Sequence, residues 1–127
     1  MREIDPKTTS RAKAFELWMK APMPMVTMTK TFDITRLCRL SRRKGVKLNM
    51  LMCYAVVKAA SSFKEFYMLP VGDKLMAFDN LAINTIVMTK DGGINTCDIP
   101  FSEDIRRFEA DYLRITAEAS QIGRAHV

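Results

Sequence analysis

Histidine is nearly absent from this 127-residue chain, and the single one, His126, is the penultimate residue. Cysteine is scarce: Cys38, Cys53 and Cys97 lie far apart, with no Cys-x-x-Cys spacing. A structural zinc site needs several nitrogen or sulfur ligands at short local spacings. Neither a metal site nor a disulfide is therefore expected. Three unpaired thiols without a secretion signal point to a reducing compartment, most simply the cytoplasm. No apolar run is longer than Met50 to Val57, which Lys58 ends. A membrane span needs about 20 apolar residues, so neither a span nor a membrane partner is expected. The N-terminal Met-Arg-Glu-Ile-Asp-Pro-Lys has no apolar segment behind its charges and does not read as a signal peptide. With 5 Gly, 5 Pro, 48% apolar and 27% charged residues, the composition excludes collagen-like, low-complexity and disordered classes. The length fits one domain or less.

Charge is plentiful but uneven. The net charge is +6. The stretch 34–64 holds eight bases and no acid, which leaves twelve bases against fourteen acids, or −2, for the rest. A basic stretch attracts nucleic acid, anionic lipid or a phosphorylated ligand, or else forms a solvated helix face.

Thr8, Thr9 and Ser10 offer caps for a first helix through about Lys20, with Phe15, Trp18 and Met19 on its apolar stripe. Pro22 and Pro24 stop it. Val26, Met28, Lys30 and Phe32 alternate with Thr27, Thr29 and Thr31, which predicts a strand. Asp33 caps a second helix whose inner face is Ile34, Leu37, Cys38 and Ser41, with Arg36, Arg39, Arg42 and Arg43 mostly outside. Gly45 is its C′ residue. Asn49 is expected to cap a third helix from Met50 to about Phe63, apolar on nearly all sides and therefore buried on most of them. Its methionines suit irregular packing. Phe66 to Val71 and Lys74 to Asp79 flank Gly72-Asp73, a two-residue hairpin signal. Ala82 to Thr89 and Ile94 to Ile99 flank a second hairpin turn at 90–93, and Pro100 ends that strand. Ser102 is expected to cap a last helix with Glu103 and Asp104 in its first turn and Ile105, Phe108, Tyr112 and Ile115 on its stripe. This order predicts an α/β (α+β) two-layer sandwich, a mixed sheet with helices packed on one face.

The last helix runs into Ile122-Gly123-Arg124-Ala125-His126-Val127 with no evident tertiary purpose. ATCGGAAGAGCACACGTC encodes these six residues and resembles a sequencing-library adapter. Residues 122–127 are accordingly read as translated adapter and 1–121 as the protein. Without Arg124 the charge is +5, and no histidine remains for catalysis.

Taken in order, Ile4-Asp5-Pro6, Arg11 with Ala14-Phe15-Glu16, Phe32-Asp33-Ile34-Thr35, the segment from Gly45-Val46-Lys47 to Tyr54-Ala55-Val56, Gly72-Asp73-Lys74 and Phe101-Ser102-Glu103-Asp104-Ile105 resemble the N-terminal part of the chloramphenicol acetyltransferase family. The wider relation is to the catalytic domains of dihydrolipoamide acyltransferases. The resemblance covers residues 3–121 and rests on the ordered series rather than on one motif. It implies a truncated domain of that fold and acetyl transfer from the co-substrate acetyl-CoA to a hydroxyl. It implies a homotrimer with sites between subunits for the full-length protein, a small-molecule acceptor such as chloramphenicol, and antibiotic resistance as the role. The base in that family is a histidine of a His-His-x-x-x-Asp-Gly motif, and a serine hydroxyl stabilises the oxyanion. Neither the motif nor the serine segment is present, so this chain is expected to be inactive.

By the same resemblance Arg11 matches the arginine that pairs with the aspartate of the histidine motif. Read alone, it is an exposed arginine in a first helical turn. Leu17 and Trp18 match a pair lining the acceptor pocket, although Trp18 read alone is a core residue. Ile94 matches a pocket position where the family usually carries an aromatic ring, which puts chloramphenicol itself in question. Lys47 matches a lysine near the phosphate end of CoA; read alone it is a solvated lysine at a strand edge.

The alternative is a small basic α/β module that binds nucleic acid through the Arg36 to Lys47 face. No aromatic residue lies between them for stacking on single strands, and the third helix is too apolar for a surface element. Nucleic acid is therefore not expected as a partner.

Overall fold

The computed structural model describes residues 1–122. The chain begins with a short strand β1 (Arg2–Ile4) and a 3-10 turn at Pro6–Thr8, followed by α1 (Ala12–Met19). Helices α2 (Thr35–Lys44) and α3 (Leu48–Ser61) come next. Two hairpins follow, β2 (Met68–Val71) with β3 (Lys74–Ala77) and β4 (Ala82–Met88) with β5 (Ile94–Pro100), and then α4 (Ile105–Gln121).

The expected α+β class is what the structure shows. Where one sheet is expected, the strands form two small antiparallel sheets among the described residues, ordered β1-β3-β2 and β4-β5. Strand β1, too short to show a period, pairs with β3 from Arg2 opposite Ala77 to Ile4 opposite Leu75. The β2–β3 turn is closed by Gly72 at φ 64°, a left-handed conformation that glycine takes at no steric cost.

The core lies between α3, α4 and the inner face of β4–β5. Met50, Cys53 and Val57 fall at i, i+3 and i+7 of α3, and Phe108 and Tyr112 at i and i+4 of α4. With Leu51 and Ile99 they form one buried cluster. Ile99 and Phe108 have no exposed surface. The Tyr54 ring meets Phe108 with centroids 5.2 Å apart. Asn95 donates to the Ala119 carbonyl at 3.1 Å, and the Lys90 N–H donates to Ser120. The β4–β5 hairpin thus satisfies carbonyls that the end of α4 leaves without an intrahelical partner.

Several expectations are corrected by local chemistry. The predicted strand at 26–32 is irregular backbone, since residues 24–34 join no sheet. Its alternation suits a strand, but a strand forms only against a ladder partner, and none of the five described strands pairs with it. Asn49 does not cap α3. It sits in the first turn, where its side-chain amide donates to Thr85 Oγ1 at 3.1 Å and Tyr112 Oη at 2.9 Å, linking α3 to β4 and α4. Nor is α3 covered on most sides: Met52 and Val56 are exposed. Helix α1 starts at Ala12, later than its threonines suggest, because Thr8 and Thr9 are used by the preceding turn. The cap of α4 is Asp104, which accepts from the Arg106 N–H, while Ser102 accepts from Asp104. Asp33 does accept from Thr35 N and Oγ1 at the start of α2, and Gly45 ends that helix at φ 65°.

Of the residues read as adapter, 123–127 lie outside the described residues.

Candidate functional site

An apolar cavity of about 740 Å³ lies between α1, the irregular segment after it and the three-stranded sheet. Helix periodicity builds one wall. Arg11, Phe15 and Trp18 follow at i, i+4 and i+7 and all line the cavity. Val26 and Met28 come from the irregular segment, and Met68 and Leu75 from β2 and β3. Two charged residues border this cavity, exposed Arg11 and half-buried Glu65.

Arg11 stands at the N-cap of α1. Its N–H donates to Thr9 Oγ1 at 3.1 Å and its carbonyl accepts from the Phe15 N–H at 2.7 Å, while its side chain makes no capping bond. The backbone there is fixed by these two bonds, and the helix makes no use of the side chain. Trp18 is 39% exposed, so it is a wall of the cavity and not a core residue.

The other predicted positions lie elsewhere. Leu17 is exposed and is not in this lining. Ile94, the exposed first residue of β5, stands opposite Met88 on the outer face of the second hairpin. Lys47 is exposed at the N-cap of α3. The structure therefore brings Arg11 and Trp18 together and leaves Leu17, Ile94 and Lys47 outside this cavity. Glu65 was missed by sequence reasoning. It is the first acid after the acid-free stretch.

Neither Cys53 nor Cys97 is prepared as a nucleophile. Burial pushes the Cys53 thiol up, against a smaller opposing effect of the Thr85 hydrogen bond. Burial also raises Cys97, helped by the Asp98 and Cys53 charges. Both stay protonated at neutral pH, and the thiolate is the reactive form. Among the described residues no group of His, Cys, Asp or Glu is placed to hold a metal ion, and no helix is long and apolar enough to cross a membrane.

A solved structure described as chloramphenicol acetyltransferase superposes on this chain with a TM-score of 0.85 at 18% identity, covering 100% of this chain and 61% of that one. That likeness defines an α+β domain of the chloramphenicol acetyltransferase fold. The family model described as chloramphenicol acetyltransferase matches residues 1–125, and the chain belongs to that family. Chloramphenicol acetyltransferase 2 of Escherichia coli is 27% identical over 116 residues, which are 91% of this chain and 54% of that protein. The chain thus spans about half the length of this curated relative.

Proposed function

We propose that this chain is the N-terminal part of a CoA-dependent O-acetyltransferase that moves acetyl from acetyl-CoA to a hydroxyl of chloramphenicol or a similar acceptor. The observation that carries this reading is the meeting of Arg11 and Trp18 at one apolar cavity in a chain of this family. An aromatic acceptor is held by Trp18, Met68 and Leu75 through apolar burial, and the cavity volume lies within the ordinary range for small-molecule sites. In the complete enzyme a base takes the hydroxyl proton, the oxygen forms a bond to the acetyl carbon, and the carbon–sulfur bond breaks. The thiolate of CoA leaves and takes up the proton. Arg11 acts as a positioning residue: its guanidinium can grip a carboxylate in two places and so fix the loop that carries the base. Lys47 serves the phosphate end of CoA as a point charge. The full-length protein is proposed to be a cytoplasmic homotrimer.

The test is thiol release from acetyl-CoA in the presence of chloramphenicol, run on residues 1–127 and on the protein translated from the longer source locus. The expected result is no turnover for 1–127 and acceptor-dependent turnover for the longer form. A longer reading frame without His-His-x-x-x-Asp-Gly, or one that fails to turn over with any hydroxyl acceptor, overturns the proposal.

A further inference from the structure

Helix α2 carries a surface to which the proposed acetyl transfer assigns no role. Arg36, Arg39, Arg42, Arg43 and Lys44 are all exposed, so four of the chain's ten arginines fall within one ten-residue helix. The ion pairs found among the described residues lie elsewhere, on Lys58, Lys74 and Arg114. The nearest preceding acid, Asp33, is engaged by Thr35 N and Oγ1. Arg36, Arg39, Arg42 and Arg43 line a concave surface of about 650 Å³. Arg39 and Arg42 also border a second hollow of about 500 Å³ on the other flank.

Neither helix stability nor solubility accounts for this placement. Bases in the last turn suit the negative end of the helix dipole, but Arg36 lies in the first turn, where a base is disfavoured. Solubility is served by charges of mixed sign, and α2 has one sign only.

We propose that α2 docks on the phosphate backbone of double-stranded nucleic acid without reading its sequence, a second activity beside acetyl transfer. Arg36 to Arg43 spans about 10 Å at the helical rise, and a duplex presents a charge about every 1.7 Å of its axis. A row of guanidiniums of that length fits an extended anion better than a single phosphate. No aromatic residue lies between Arg36 and Lys47 for single strands to stack on, while exposed Phe32 borders the hollow beside Arg39 and Arg42; tighter binding of a single-stranded oligonucleotide than of the duplex therefore overturns the proposal. A bilayer is disfavoured because the apolar side of α2, Leu37 and Leu40, is packed against the core. This proposal departs from the expectation, drawn from the sequence, that nucleic acid is no partner.

The experiment is fluorescence anisotropy of a labelled DNA duplex titrated with the 127-residue chain at several salt concentrations. Three or four neutralised phosphates give a slope of log affinity against log salt of about −3. The triple variant Arg36→Ala, Arg39→Ala, Arg43→Ala is expected to bind at least about tenfold more weakly and to lose most of that slope. The matching triple lysine variant, which keeps the charge, retains both. Arg106→Ala with Arg107→Ala on α4 leaves both unchanged. An alanine triple variant indistinguishable from the parent, an equal loss in the α4 variant, or binding to phosphatidylserine vesicles in preference to the duplex overturns the proposal.

Discussion

Arg11 occupies a position that the helix itself would fill differently. N-caps favour Ser, Thr, Asp and Asn because their oxygens accept from the first free N–H groups, whereas Arg11 makes no such bond. Its positive charge also faces the positive end of the helix dipole. Arg11→Ser is therefore expected to stabilise residues 1–127 by about 1 kcal/mol, read as a higher urea midpoint at equal protein concentration. In the complete enzyme the same change is expected to lower kcat. An unchanged kcat removes Arg11 from the machinery. The thiols give a second expectation at this scale. Cys53 and Cys97 are held protonated in the fold, with pKa values raised chiefly by burial. The unfolded chain then loses these protons first as pH rises, so the native state holds more protons than the unfolded one. Stability from this source is whole below the ordinary thiol range and is lost as pH rises through the folded-state values. Urea midpoints should fall above about pH 9, and Cys53→Ala should flatten that fall.

At the scale of elements, Gly45 tests how much of α2's ending is conformational. It sits at φ 65° with open space where a Cβ would stand, so Gly45→Ala meets no clash and reports backbone strain alone. The expected cost is about 1 kcal/mol, measured by urea unfolding; no change would mean that the turn relaxes freely. Most elements were legible because their signals are local. The Gly72-Asp73 turn, the second hairpin and the α4 stripe through Phe108 and Tyr112 depend on neighbours in sequence. The misread elements depend on partners far along the chain. The 26–32 alternation needs a neighbouring strand, and Asn49 chose Thr85 and Tyr112 over the helix end because those groups reach it only in the fold. At the site, Arg11 and Trp18 were legible through their place in an ordered series. Glu65 was not, because only the fold brings residue 65 to a lining shared with residues 11–28.

For the whole molecule, surface area is the telling quantity. The chain exposes 9908 Å², whereas a folded monomer of 14.5 kDa is expected to expose about 6,900 Å². The difference is about 3,000 Å² of surface beyond that of a self-sufficient domain of this mass. Much of it is apolar: Met28 and Phe32 on the irregular segment, Val56 on α3, and Ile86, Met88 and Ile94 on the second hairpin are all exposed. Apolar area left in water forgoes about 25 cal/mol per Å², and a domain is stable by only about 5–15 kcal/mol. Several hundred Å² of missing cover is enough to decide whether such a chain stays alone. The two-stranded β4–β5 sheet also has open edges among the described residues, which pair readily with other chains. Purified residues 1–127 are therefore expected to self-associate, eluting from size exclusion as oligomers or aggregate whose share grows with concentration. Ile86→Lys with Ile94→Lys, placed on the outer hairpin face where neither touches the core cluster, should shift that distribution toward monomer without loss of helix content by circular dichroism. A parent chain that elutes as a monomer at all concentrations would show that this exposed surface needs no cover.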